Sequence, residues 1–126
     1  MSRLTGLTVA EIEANREGIA EEFSKRHNVT VLLKGAATVV ATYDDETVYI
    51  NNSGNAALAT GGSGDVLSGI IGALIAQGLS AFDAACAGAF IHGNAAEIVS
   101  EDTSVAGMVA SDLYAGIRKT YIEMEQ

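Results

Sequence analysis

A glycine-rich segment is the part of the sequence best suited to chemistry. It reads ATGGSGD over residues 59–65 and runs directly into a long apolar stretch. Consecutive glycines allow backbone N–H groups to turn inward together, and the start of a helix adds unpaired N–H groups and the positive end of its dipole. The segment is therefore predicted to form an anion pocket of the kind that holds phosphate.

The acid that ends this segment, Asp65, departs from a Walker-type phosphate loop, which ends in Lys followed by Ser or Thr. A carboxylate is repelled by phosphate, so its presence is explained if it accepts a proton from a hydroxyl that attacks the phosphate, or helps hold magnesium. The alternative is that Asp65 only caps its helix, a frequent role of aspartate. The residues alone leave the base and the cap equally open.

A second candidate segment, KGAAT at residues 34–38, follows an apolar, β-rich run. In open α/β sheets, ligands bind at the carboxyl ends of strands, which is where this segment is expected. Its small residues leave room for a nucleotide, and Lys34 brings a positive charge. The alternative is a surface lysine in an ordinary turn.

Helices are expected before and after these segments. Thr8, followed by Glu11 three residues later, has the pattern of a capping box and predicts a helix that runs through residue 25. A second helix, apolar around much of its circumference, is predicted from Asp65 to a glycine stop at Gly78.

Strands are expected in the first half of the chain. Residues 29–33 form an unbroken apolar run, typical of a strand covered on both faces, as in parallel sheets. Residues 38–43 and 47–50 are two β-rich runs separated by three acidic residues, which predicts a hairpin. The expected fold class is therefore α/β, with a parallel strand and a β-hairpin flanked by helices.

Two further helices are predicted near the carboxyl terminus. Ser80 and Asp83 form a capping pattern before an alanine-rich helix. Residues 109–123 have the pattern of an amphipathic helix, with apolar side chains at four-residue intervals: Val109, Leu113, Ile117 and Tyr121. Within the alanine-rich helix, His92 is expected to be a packed core residue, and Cys86 a small buried one.

Length and charge exclude several classes of protein. The 126 residues predict one domain, and a net charge of −9 without a basic patch argues against binding to nucleic acid or membrane surfaces. The longest apolar run is too short to span a bilayer, and the amino terminus lacks the layout of a secretion signal. A cytoplasmic protein is expected, in which the single Cys86 forms no internal disulfide.

Several motifs in register carry a resemblance to a known family. LLKGAATVVAT, NNSGNAALATGGSGDVLSGIIGALIAQG, IHG and ASDL occur in this order. Together they resemble the carboxyl-terminal portion of ADP-dependent NAD(P)H-hydrate dehydratases, a family with the ribokinase-like α/β sandwich fold. The resemblance covers nearly the whole chain from Arg3 onward, so residues 1–126 are expected to form a single, partial ribokinase-like domain.

The resemblance implies roles for particular residues. Nucleotide would be bound by Lys34, Gly35, Ala36, Ala37, Thr38 and Gly64. The anion hole would be formed by Gly62, Ser63 and Gly64. Asp65 would meet the hydrated substrate and take its hydroxyl proton, while no residue is assigned as a resident metal ligand. ADP or ATP would be the phosphoryl donor, with magnesium to offset charge.

The resemblance also implies what this chain lacks and what could complete it. The family's domain is about twice as long, so its amino-terminal half is expected to be absent, which would leave strand 29–33 with an open flank. A homo-oligomer or a separate amino-terminal half is the expected partner, and hydrated NADH or NADPH the expected substrate. Two alternatives stay open: a ribokinase-like kinase for a sugar or vitamin hydroxyl, and a non-catalytic nucleotide-binding remnant.

Overall fold

The computed structural model describes all residues, 1–126, in two compact units. The first unit comprises residues 1–50 and the second residues 51–126. Each unit contains one of the two candidate segments.

The first unit begins with three helices: α1 (Ser2–Thr5), α2 (Val9–Ala14) and α3 (Arg16–His27). The predicted cap is confirmed, because Thr8 Oγ1 accepts a hydrogen bond from the Glu11 amide at 3.1 Å. The prediction of one continuous helix through residue 25 was wrong. Asn15 interrupts it, since its side chain accepts from the Gly18 amide at 3.3 Å and so begins a new helix.

The sheet has three strands, β1 (Val31–Leu33), β2 (Thr38–Ala41) and β3 (Tyr49–Asn51), in the order β1-β2-β3. β1 pairs antiparallel with β2, with Val31 opposite Ala41, whereas the sequence pattern predicted a parallel strand. The physical reason is the short connection, because a parallel pair needs a crossover of a dozen or more residues. β1 is also shorter than residues 29–33, and Val29 is exposed.

Helix α3 covers this sheet. The buried side chains between them are Ala20, Val31, Val39 and Ala41, with Phe23 and Leu33 packed against the same cluster. This small core holds the turn between β1 and β2, which contains the Lys34 segment.

The second unit is helical. A 3₁₀ turn (Ala56–Ala59) precedes α4 (Ser63–Ala76), which is followed by α5 (Ala81–Asp102), a 3₁₀ turn (Ala110–Asp112) and α6 (Leu113–Glu125). The predicted cap of α5 is confirmed, since Ser80 Oγ accepts from the Asp83 amide at 3.1 Å.

The final helix is shorter than predicted and uses only part of its apolar stripe. It starts at residue 113 because the preceding residues form the 3₁₀ turn, in which the Asp112 carboxylate accepts from the Val109 amide at 2.9 Å. Leu113 is fully buried, whereas Val109 and Tyr121 are exposed. The stripe therefore contributes Leu113 and Ile117 to the core and not its two ends.

Helix α5 lies at the centre of this unit and packs against both α4 and α6. Small residues make the close approach possible: a Cβ added to Gly116 of α6 would overlap the backbone of Ala95 in α5. The buried side chains shared by these elements include Ala84, Ile91, Ala95, Ala96, Val99 and Leu113. None of the helices in either unit is both long and apolar enough to cross a membrane.

Candidate functional site

The glycine-rich segment, residues 59–65, runs from the last residue of the first 3₁₀ turn into the first turn of α4. Gly62 is the N-cap of α4 and adopts φ 90° and ψ −11°, in the left-handed region that favours glycine. A Cβ at this position would also lie 3.2 Å from Ala110 Cβ. Position 62 therefore favours glycine for two reasons: its left-handed backbone conformation and the limited space for a Cβ.

The amides at the start of α4 differ in whether they are paired. The Ser63 N–H donates to the Thr60 carbonyl at 3.2 Å, and the helix ladder begins when Val66 donates to the Gly62 carbonyl at 3.2 Å. The N–H groups of Gly64 and Asp65 have no partner within the helix, and no side chain caps them. These two amides, at the positive end of the helix dipole, can bind an anion.

Three hydrogen bonds connect the segment to neighbouring parts of the second unit. Ser63 Oγ donates to the Leu58 carbonyl at 2.5 Å, and Thr60 Oγ1 donates to the Met108 carbonyl at 3.1 Å. His92 of α5 makes the third, with Nε2 2.9 Å from the Ser63 carbonyl oxygen. The Ser63 hydroxyl is thus engaged inside the protein, so Ser63 contributes shape to the segment.

The carboxylate of Asp65 is exposed and accepts no hydrogen bond, and it forms no ion pair. The N-cap of α4 is Gly62, and Asp65 lies three positions further on. A purely structural role for Asp65 is therefore limited to the attraction between its charge and the helix dipole. This attraction stabilises a helix by about 0.3–1 kcal/mol at an exposed site. A carboxylate left unpaired beside unpaired amides is available to a substrate.

The Lys34 segment forms the turn between β1 and β2. Residues 34–36 are exposed, and Thr38 Oγ1 lies 3.4 Å from the Gly35 carbonyl oxygen, to which it donates. Lys34 forms no ion pair, so its ammonium group is free to approach an anionic ligand. The turn and the glycine-rich segment belong to different compact units.

Arg16, the first residue of α3, supports the same turn. Its Nη2 donates to the Leu33 carbonyl at 2.9 Å, and its guanidinium occupies the space where a Cβ on Gly35 would lie. The side chain is 13% exposed, and Nε is buried 3.8 Å from a carboxylate oxygen of Glu13. The only sequence signal was a lone arginine directly after a helix-capping asparagine, which is too weak to identify this contact.

A surface pocket of about 470 Å³ borders this arginine, lined by Glu13, Asn15, Arg16, Glu17, Ala37, Val39 and Ile50. Ala37 of the Lys34 segment and Arg16 therefore line the same pocket. Elsewhere, the prediction that His92 is a packed, hydrogen-bonded residue is confirmed, since it is 7% exposed.

Comparison with known proteins identifies the family to which the chain is similar. The family described as NAD(P)H-hydrate dehydratase matches residues 1–119. The chain is 48% identical over 118 residues to the ADP-dependent (S)-NAD(P)H-hydrate dehydratase of Neisseria meningitidis, covering 93% of this chain and 40% of that protein. It is also 48% identical over 118 residues to the bifunctional NAD(P)H-hydrate repair enzyme Nnr of Escherichia coli, covering 94% of this chain and 23% of the relative.

A solved structure shows the same fold. The ADP/ATP-dependent NAD(P)H-hydrate dehydratase of Bacillus subtilis, co-crystallised with ATP and Mg²⁺, superimposes with a TM-score of 0.91 at 30% identity. The superposition covers 97% of this chain and 44% of that one, so the chain spans less than half the length of these relatives. The expected α/β, ribokinase-like fold is confirmed, and because the family match includes 119 of the 126 residues, the chain belongs to the NAD(P)H-hydrate dehydratase family.

Proposed function

We propose that this chain supplies the phosphate-binding amides and the general base for the ADP-dependent dehydration of hydrated NADH or NADPH. The observation that carries the proposal is the pair of uncapped amides at Gly64 and Asp65 beside the unpaired Asp65 carboxylate. Donors aimed at developing charge, next to a group that accepts a proton, are what phosphoryl transfer to a hydroxyl requires. The substrate is inferred from the relatives, which are a dehydratase and a repair enzyme for NAD(P)H hydrate.

The proposed reaction starts at the hydroxyl group of the hydrated nicotinamide ring. Asp65 accepts the hydroxyl proton while the oxygen forms a bond to the β-phosphorus of ADP, and the bond from that phosphorus to the bridging oxygen breaks to release AMP. Phosphate then leaves with the electrons of the ring C–O bond. A proton passes from the adjacent ring carbon to the departing phosphate, which restores the double bond of the reduced ring.

The residues present fit a nucleotide with its magnesium. The amides of Gly64 and Asp65 suit phosphate oxygens. From the family resemblance we also propose that the turn at Lys34, Gly35, Ala36, Ala37 and Thr38 contacts nucleotide. No group of three or more His, Cys, Asp or Glu side chains is placed to hold a metal ion. Magnesium would therefore be held chiefly by phosphate oxygens, with Asp65 as the nearby carboxylate, and would offset their charge.

We also propose that both compact units belong to one partial domain, since the family match extends across both. Its completion by another copy of the chain or by a separate amino-terminal polypeptide is part of this proposal. The open edge of β1 supports it, because an unpaired strand edge is a template for pairing with another chain. The cytoplasmic location stays a prediction from the sequence.

The test is recovery of NADH absorbance from hydrated NADH when ADP and magnesium are added. Asp65→Asn is expected to reduce turnover by about 100-fold or more, because the general base is removed. Asp83→Asn is the matched control, since Asp83 is an exposed acid in the first turn of the neighbouring helix. It should leave turnover unchanged.

The outcomes separate the alternatives. A phosphorylated alcohol formed without recovery of NADH would favour the ribokinase-like kinase. Binding of ADP without turnover, unaffected by Asp65→Asn even when the relative's amino-terminal half is supplied, would favour the non-catalytic remnant. Equal turnover by the Asp65 and Asp83 variants would contradict the role of Asp65.

A further inference from the structure

His92 makes a buried hydrogen bond to the segment that contains the candidate anion hole. It lies on α5, is 7% exposed, and its Nε2 is 2.9 Å from the carbonyl oxygen of Ser63. A carbonyl oxygen only accepts hydrogen bonds, so Nε2 carries the proton and donates it. The contact connects helix α5 to the start of α4.

The Ser63 carbonyl belongs to the same peptide unit as the Gly64 N–H. Peptide units are planar, and this chain contains no cis peptide bond, so the carbonyl and the N–H point in opposite directions. Holding the Ser63 oxygen against His92 therefore directs the Gly64 N–H away from the core. This is one of the two amides that the helix leaves unpaired.

The other hydrogen bonds of Ser63 do not fix this peptide unit. Its hydroxyl donates to the Leu58 carbonyl at 2.5 Å, and its own amide donates to the Thr60 carbonyl at 3.2 Å. Both fix the position of the residue and the peptide before it. Gly64 has no side chain to limit rotation of the Ser63–Gly64 peptide, so the restraint at that peptide comes from His92 and from the helix.

We propose that His92 is a positioning residue, whose hydrogen bond to the Ser63 carbonyl aims the Gly64 amide at the phosphate of the bound nucleotide. The assignment rests on the proposed function for the phosphate, but the orientation of the amide is a property of the free protein. The imidazole itself does not touch the ligand. It acts only through the Ser63–Gly64 peptide.

The first test measures the orientation directly in the ligand-free chain. Residual dipolar coupling of the Gly64 N–H bond should change in His92→Leu, while His92→Gln, whose amide nitrogen can replace Nε2 as a donor, should retain the wild-type value. Ser80→Ala, which removes the cap of the same helix, is the control for general loosening of α5 and should not alter the coupling. If His92→Leu does not fold, His92→Asn, with a donor too short to reach, takes its place.

The second test follows the Gly64 amide signal during titration with ADP. Loss of one hydrogen bond to a charged group predicts about tenfold weaker binding in His92→Leu, with recovery in His92→Gln. An unchanged coupling in His92→Leu, or a coupling that His92→Gln fails to restore, would overturn the inference. A wild-type chain whose Gly64 signal does not respond to ADP would contradict the proposed function, and the coupling would still decide whether His92 orients the amide.

Discussion

At the scale of single residues, the candidate site depends on which backbone and side-chain groups are already used by the fold. The hydroxyl, the amide and the carbonyl of Ser63 all form hydrogen bonds within the protein. The carboxylate and the amide of Asp65 and the amide of Gly64 form no hydrogen bond within the protein. The segment is therefore divided into residues that hold it in place and residues that remain available to a ligand.

Replacing Gly62 tests the backbone geometry of the glycine-rich segment. Gly62→Ala should lower the free energy of unfolding by about 1–2 kcal/mol, because a side chain at positive φ is strained. The added Cβ would also press on Ala110 at 3.2 Å. Gly61→Ala is the matched control, since Gly61 has no positive φ and its Cβ would meet nothing within 4 Å. Urea unfolding of the two variants measures the difference, and equal stabilities would contradict the strain at Gly62.

Cys86 should be an unreactive thiol. Burial, with a smaller contribution from the charge of Asp83, raises the pKa of the Cys86 thiol to about 11. Only the thiolate reacts, so at pH 8 a shift from about 9 to about 11 lowers the reactive fraction by about 100-fold. Reaction with a chromogenic disulfide at pH 8 should be that much slower in the folded chain than in urea. Equal rates would show that the thiol ionises normally.

The sequence predicts which residues of the segment could do chemistry, and this stays a prediction, but it does not predict how those residues are held. Glycines before an acidic residue indicate a phosphate-binding backbone from local chemistry alone. The contact between His92 and Ser63 joins residues 29 positions apart, and that between Arg16 and Leu33 joins residues 17 apart. Such partners depend on tertiary packing, which no local pattern in the sequence encodes.

At the scale of elements, α5 is the framework of the second unit. It packs against α4 and α6, and it carries the histidine that supports the glycine-rich segment. Its capping residue was predicted from the sequence because the Ser80–Asp83 pattern is local. The break at Asn15 and the antiparallel pairing of β1 were not, because helical periodicity continues across the break and an apolar run has no direction.

Two glycines with different neighbours test the packing around α5. Gly116 of α6 lies against the backbone of α5, and Gly88 of α5 lies against a side chain of α4. In Gly116→Ala the new Cβ would overlap the Ala95 carbonyl oxygen and lie 2.9 Å from its carbon, and backbone atoms cannot rotate away. The free energy of unfolding should fall by about 1–3 kcal/mol, as for an overpacked core. In Gly88→Ala the Cβ would meet Ile71 Cγ1 at 2.6 Å, and this side chain can adjust. Urea unfolding should therefore show the smaller loss for Gly88→Ala, and the reverse order would contradict the assignment.

At the scale of the whole molecule, two surface features are suited to association: the open edge of β1 and exposed apolar side chains. β1 is an edge strand, so one side of it has no partner within the sheet. Large apolar side chains are exposed in both units, among them Leu4, Ile122 and Met124. The net charge of −9 opposes association by repulsion, so any interface must be specific enough to outweigh it.

Sedimentation velocity at micromolar concentration tests whether the open edge of β1 is used. We expect species larger than the 12.9 kDa monomer, because unpaired backbone groups and half-buried Leu32 favour pairing with a second chain. Leu32→Lys should shift the population toward monomer, since a charge on an edge strand blocks such pairing. Leu4→Lys adds the same charge outside the sheet and should not. A monomeric wild type would contradict self-association and leave a separate amino-terminal polypeptide as the partner, whereas equal effects of both variants would place the interface away from β1.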